Sequence, residues 1–160
     1  MAPKTVGKEL KPEAQLRAYI DKLDPKNQKL FKSVRAAVRK RFPTANELAY
    51  DYGDALVVSY APADKGIDGI VAIRASATGV SLYFNQGPQL PDPKRLLKGS
   101  GKQVRFLQLE SPRQLAHPDI EALIAATVRQ ARVALPTTGK GSLIIKSDGA
   151  KKKPKRKPAK

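Results

Sequence analysis

Three kinds of residue pattern in this chain could do chemistry. The first is "KKKPKRKPAK" at 151–160, where Lys151, Lys152, Lys153, Lys155, Arg156, Lys157 and Lys160 stand without a single acid. Pro154 and Pro158 prevent a helix and keep those charges extended. An arm of this kind can lie along phosphates and release condensed counterions, which gives affinity without base specificity. The backbone of DNA or RNA is the partner it points to. The second pattern is "KGSGKQ" at 98–103, which looks like the end of a phosphate-binding loop. That loop needs Ser or Thr after its lysine and a helix beyond it. Here Gln103 follows Lys102 and a strand pattern follows both, so a glycine-permitted turn is the reading. A weaker version remains: Gly99, Gly101 and Lys102, or Gly139, Lys140 and Gly141, could offer backbone N–H groups and a charge to a phosphate.

The third pattern is aromatic. Tyr50, Tyr52, Tyr60 and Tyr83 fall in strand-like runs. They could fill the rim of a core with their hydroxyls in water, line a small-ligand pocket, or stack on bases. Tyr52, Tyr83 and Lys102 together define a candidate pocket. "HPD" at His117–Asp119 follows a strand pattern and reads as a helix start with Pro118 in the first turn. His117 is the sole histidine and cysteine is absent, which excludes paired-histidine sites, disulfides, thiolate catalysis and cysteine zinc sites. No nucleophile stands beside a base. No residue is given a catalytic role, and neither a cofactor nor a metal is expected, although an enzyme with scattered catalytic residues remains an alternative.

The elements that must position these residues follow from periodicity. A helix starts at Pro12, with Leu16, Tyr19, Ile20 and Leu23 on one face. Asp24 and Pro25 open a second helix to about Arg41, with Phe31, Val34, Val38 and Phe42 inward and a basic outer face expected to be solvated. "ELAYDY", "ALVVSYA", "GIVAIRA" and "GVSLYFN" then read as strands joined by short turns, hence an antiparallel meander. "DPKRLLK" reads as a helical turn, "KQVRFLQLE" as a fifth strand, and "SLIIK" as a short last one. A third helix places Ile120, Leu123, Ile124, Thr127, Val128, Ala131 and Leu135 on one stripe. The expected fold is α+β: a meander of about five strands with N-terminal and C-terminal helices on one face. The expected organisation is a loose N-terminus over 1–11, a domain over 12–146 and a disordered basic tail over 147–160.

The totals agree with one domain plus tails: 160 residues, 41% of them hydrophobic. The net charge is +17, of which residues 150–160 carry +7 and residues 1–149 the remaining +10. Such an excess favours polyanions, nucleic acid first and anionic lipid second. No apolar run approaches the roughly 20 residues of a membrane span, and the N-terminus lacks the apolar stretch of a secretion signal. A cytoplasmic protein without a membrane partner is expected.

The order of parts in "GSGKQVRFLQLESPRQLAHPDIEALIAATVRQAR", together with the Tyr52-Gly53 pair in "ELAYDYGDALVVSYA", resembles the YdhG-like family, a mostly bacterial domain of unknown function. The likeness covers roughly residues 13–134. It implies a frataxin-like α+β sandwich, and one member has been proposed to handle iron. That chemistry would need an acidic ridge of oxygen ligands. In this chain Glu13, Arg17 and Asp21 have ion-pair spacing instead, and the second helix carries Lys26, Lys29, Lys32, Arg35, Arg39 and Lys40. Asp51, Asp54, Asp64 and Asp68 are the acids that could gather at loop ends.

Overall fold

The computed structural model describes residues 11–85, 87–100 and 103–147. Lys102 and the basic residues 151–160 lie outside the described residues, as does the N-terminus over 1–10. Helices α1 (Pro12–Ile20) and α2 (Pro25–Arg41) both begin on proline, whose missing N–H would have had no helical partner there. The Asp24 carboxylate accepts from the Asn27 N–H at 2.9 Å and caps α2. The chain leaves α2 at Phe42, the residue before Pro43, which is disfavoured from the helical conformation.

Six strands follow: β1 (Asn46–Asp51), β2 (Ala55–Ala61), β3 (Val71–Ser76), β4 (Gly79–Phe84), β5 (Arg105–Leu109) and β6 (Leu143–Ser147). They form one sheet in the order β5-β4-β3-β2-β1-β6. The first five make the expected antiparallel meander, whereas β6 is an addition to it and runs parallel to β1. Parallel pairing requires a long crossover. The chain provides one by running through β2–β5 and helix α3 (Pro118–Gln130) before it returns.

Register divides the sheet into two faces. Val80, Leu82 and Phe84 align through β3 with Leu56, Val58 and Tyr60, and through β2 with Asp51, Ala49 and Glu47. On this face the core joins Leu16 and Ile20 of α1, Phe31, Val34 and Val38 of α2, and Leu123 and Ile124 of α3. The other face carries Leu48, Tyr50, Val57, Ser59, Ala72, Arg74, Ser81, Tyr83, Phe106 and Gln108. Part of it lies under the β2–β3 loop, where Gly66 sits so close to the Tyr50 hydroxyl that a Cβ would collide with it. The Lys146 ammonium donates to the Asp64 carbonyl at 2.8 Å and Asn85 Nδ2 donates to the Gly69 carbonyl, pinning that loop. Leu48 is completely buried.

Two local expectations change, the end of α3 and the extent of the fifth strand. Helix α3 stops at Gln130, and Ala131 is already extended at ψ 134°; Ala131 and Leu135 still pack against the core. An extended segment that faces the core continues an apolar stripe, so periodicity cannot mark where the helix ends. "DPKRLLK" makes a single turn at Pro93, closed by the Arg95 N–H on the Asp92 carbonyl (3.1 Å), and both Asp92 carboxylate oxygens accept, from the N–H groups of Leu96 (2.8 Å) and Leu97 (2.9 Å). Arg95 there takes a positive φ of 56°. The fifth strand occupies only Arg105–Leu109. Among the described residues no helix is long and apolar enough to cross a membrane.

Candidate functional site

The acids of the domain decide what a cationic arm would meet. Glu47 faces the core and is 3% exposed. Arg35 reaches it from α2 with Nε at 2.9 Å and Nη2 at 2.7 Å, and the Tyr60 hydroxyl donates to it at 2.6 Å. Arg39 stands 3.4 Å from the same carboxylate. The Arg35 guanidinium also bonds Glu13 of α1, at 3.2 and 2.9 Å. Burial opposes the charge of Arg35, but its bonds to Glu47 and Glu13 outweigh that and raise its pKa. Burial, with the negative Glu47 beside it, pushes the Tyr60 hydroxyl well above the usual tyrosine range. The bond from Arg35 holds the Glu13 carboxyl below its ordinary value. Glu13 is thus bonded between helices, while Arg17, at the expected spacing, acts on it through its charge alone. The basic face of α2 is not uniformly solvated either, since Arg35 and Arg39 turn toward Glu47.

Other acids are likewise engaged. Asp51 pairs with Lys22 at 2.7 Å, Asp68 with Arg132 at 3.1 Å, Asp119 with Lys94 at 3.2 Å and Glu121 with Arg41 at 3.0 Å. Asp24 and Asp92 are taken up by backbone N–H groups. Asp51, Asp54, Asp64 and Asp68 do not gather: Asp51 points under the sheet toward Lys22, while Asp68 is drawn to the end of α3. Among the described residues no group of three metal-ligating side chains converges.

The glycine-rich candidates also separate. The Gly141 N–H donates to the Pro43 carbonyl at 3.0 Å and the Ser142 N–H to Asn46 Oδ1 at 2.9 Å. Those amides fasten β6 to the domain and are not offered to a phosphate. Gly99 adopts φ 109° beside a short bridge in which Lys98 and Phe106 exchange backbone bonds. Gly101 and Lys102 fall outside the described residues. His117 accepts from the Asp119 N–H at 3.1 Å and caps α3, as its position before Pro118 implied.

The tyrosines divide by face. Tyr60 is buried in the core, on the helix side. Tyr50, Tyr52 and Tyr83 belong to the opposite side, where Tyr50 and Tyr52 stack with ring centroids 5.9 Å apart and Tyr83 stacks on Phe106 at 4.9 Å. Tyr52 and Tyr83 line no common pocket. Cavities of about 390, 380 and 410 Å³ are lined instead by the β2–β3 loop with the end of α3, by α2 with α3, and by the α1–α2 turn with the β1–β2 turn. Sequence reasoning missed the buried Glu47 and the stacking of Phe106 on Tyr83. The signal for Phe106 was present, because Phe106 and Gln108 alternate with the core residues Leu107 and Leu109. Compared with family models, curated proteins and solved structures, the chain matches none.

Proposed function

We propose that this protein is a non-catalytic polyanion-binding protein, whose arm, Lys151, Lys152, Lys153, Lys155, Arg156, Lys157 and Lys160, engages the phosphates of DNA or RNA without sequence preference. The observation that carries this reading is the state of the domain's carboxylates. Glu13, Glu47, Asp51, Asp68, Asp119 and Glu121 are already paired with bases of the same domain. Among the described residues the acids without a side-chain partner, such as Asp54, Asp64 and Glu110, are scattered over separate turns. Most of the described carboxylates are thus already engaged within the domain, which supports the reading that the arm's +7 is open to an external polyanion. A YdhG-like domain is the proposed carrier, supported by the order of two helices, antiparallel strands and a closing helix.

The test is fluorescence anisotropy with a labelled random-sequence duplex across a salt series. If all seven basic residues engage phosphates, log K should fall with log salt at a slope of about −6. A chain ending at Gly149 should lose most of the affinity and most of that slope. Equal binding by the two chains would refute the reading.

A further inference from the structure

We propose that the cavity between α2 and α3 is a small-molecule site for an amphipathic monocarboxylate, its apolar body between the helices and its carboxylate on Arg41 and Lys40. Every residue that lines this cavity is among those described, and the reading is independent of the arm.

The cavity measures about 380 Å³, inside the range of roughly 300–1,000 Å³ usual for small-molecule sites. Close-packed interiors leave few voids beyond the size of a water molecule, so an apolar opening of this volume against the core marks a place for a ligand. Its floor is the core itself, where Val71, Leu82 and Ile124 lie buried. The walls that water reaches come from Ala37 of α2 and from Leu115 and Ala116 of a 3-10 segment, Pro112–Ala116.

That segment packs against both helices, and its shape is set locally. Ser111 Oγ accepts from the Arg113 N–H at 3.1 Å, and Gln114 Oε1 accepts in return from the Ser111 N–H at 3.1 Å. A wall fixed before the ligand arrives lowers the ordering cost of binding.

Charge selects the occupant. The charged side chains that line the cavity are Lys40, Arg41 and Glu121. Arg41 and Glu121 are 39% and 43% exposed, which puts them at the mouth with the apolar walls behind. Arg41 Nε and Nη2 donate to Glu121 at 3.2 and 3.0 Å and join α2 to α3. The guanidinium also stands 5.1 Å from the Phe42 ring centroid. One edge of the fork is thus taken and its direction fixed. Among the described residues Arg41 Nη1 has no acceptor and Lys40 no carboxylate partner, so both can donate to a ligand without breaking the Arg41–Glu121 pair. Two cations against one acid match a single negative head. The second charge of a phosphate would face Glu121, and a cationic head would meet Lys40 and Arg41.

The test is calorimetric titration of the intact chain with octanoate at about 0.15 M salt, where long-range attraction to the arm is screened. One molecule should bind per chain. Hexanoate should bind about tenfold more weakly, because two fewer CH₂ groups are buried. Octanol, which keeps the body and loses the charge, should bind roughly tenfold more weakly than octanoate. Lys40→Gln and Arg41→Gln should each weaken octanoate about fivefold. Glu121→Gln breaks the same pair as Arg41→Gln, yet it should tighten octanoate about twofold to fivefold by removing the like charge. A purely structural pair would move both variants in the same direction. Ala116→Phe, at an exposed wall position, should fill the opening and abolish binding; if it alters folding by circular dichroism, Lys40→Gln and Glu121→Gln decide. Octanol equal to octanoate, hexanoate equal to octanoate, or weaker octanoate binding by Glu121→Gln overturns the site, as does the absence of saturable binding by the intact chain.

Discussion

Glu47→Ala removes the acceptor on which three side chains converge. In its absence the Tyr60 hydroxyl, in a side chain 1% exposed, keeps no described partner, and Arg35, with 14% of its side chain exposed, keeps only Glu13. Stripping one partner from a buried ion pair costs about 3–5 kcal/mol. An orphaned buried hydroxyl accounts for about 1–3 kcal/mol within that range. Glu13 still shares the guanidinium charge, which places the expected loss at the lower end, about 3 kcal/mol. For a domain of this size each kcal/mol lowers Tm by roughly 3–4 °C, so Tm should fall by about 10 °C. Urea unfolding followed by far-ultraviolet circular dichroism is the assay, with the midpoint shifting and the slope unchanged. The exposed pair Arg41–Glu121 supplies the contrast, and Glu121→Ala should cost less than about 1 kcal/mol. If Glu47→Ala costs no more than Glu121→Ala, the buried network does not hold the helices to the sheet and the reasoning fails.

Further outcomes follow from the same geometry. Glu13 has its pKa lowered from 4.5 by Arg35, so the unfolded chain takes up its proton first as acid is added. Its contribution is present above pH 4.5 and is lost as pH falls through the folded value. Tyr60 behaves oppositely: its pKa is raised above 10.0, so stability is retained below pH 10 and falls as pH rises beyond it. Urea midpoints measured from pH 3 to 11 should drop on both sides, and Tyr60→Phe should lessen the alkaline drop. Gly141→Ala would drive a Cβ into the Ala45 carbonyl, a backbone atom that cannot swing aside. It should cost about 1–3 kcal/mol and speed amide exchange in β6 more than in β3. Asp92→Ala should raise exchange at the Leu96 and Leu97 amides with little change in the global midpoint.

The helices and the meander were legible because their signals are local. Proline-led starts, the Asp24 cap and the alternation of Val80, Leu82 and Phe84 each reside in a few consecutive residues. The polar interior was not legible. An acid in "NELAYD" looks solvent-facing until register sets Glu47 opposite Tyr60 and packing sets Arg35 above it. Local ion-pair spacing likewise favoured Glu13–Arg17 over a contact between helices. In β2 and β3 both faces are largely covered, Ala61 and Ala72 included, which erased the alternation that would have told the helix side from the other. The arm was fully legible as charge, whereas the pairing of β6 beside β1 was not, because it joins residues nearly a hundred positions apart.

The late arrival of β6 bears on how the molecule is made. The Ser142 amide bonds Asn46, 96 positions away, so the outer margin of β1 emerges from the ribosome long before its neighbour exists. Through most of translation that margin presents unmet N–H and C=O groups, the template on which sheets of separate chains join. A nascent chain arrested before Leu143 should therefore be prone to self-association. Completion of the sheet coincides with emergence of the cationic arm, so protection from that hazard and acquisition of the arm arrive together.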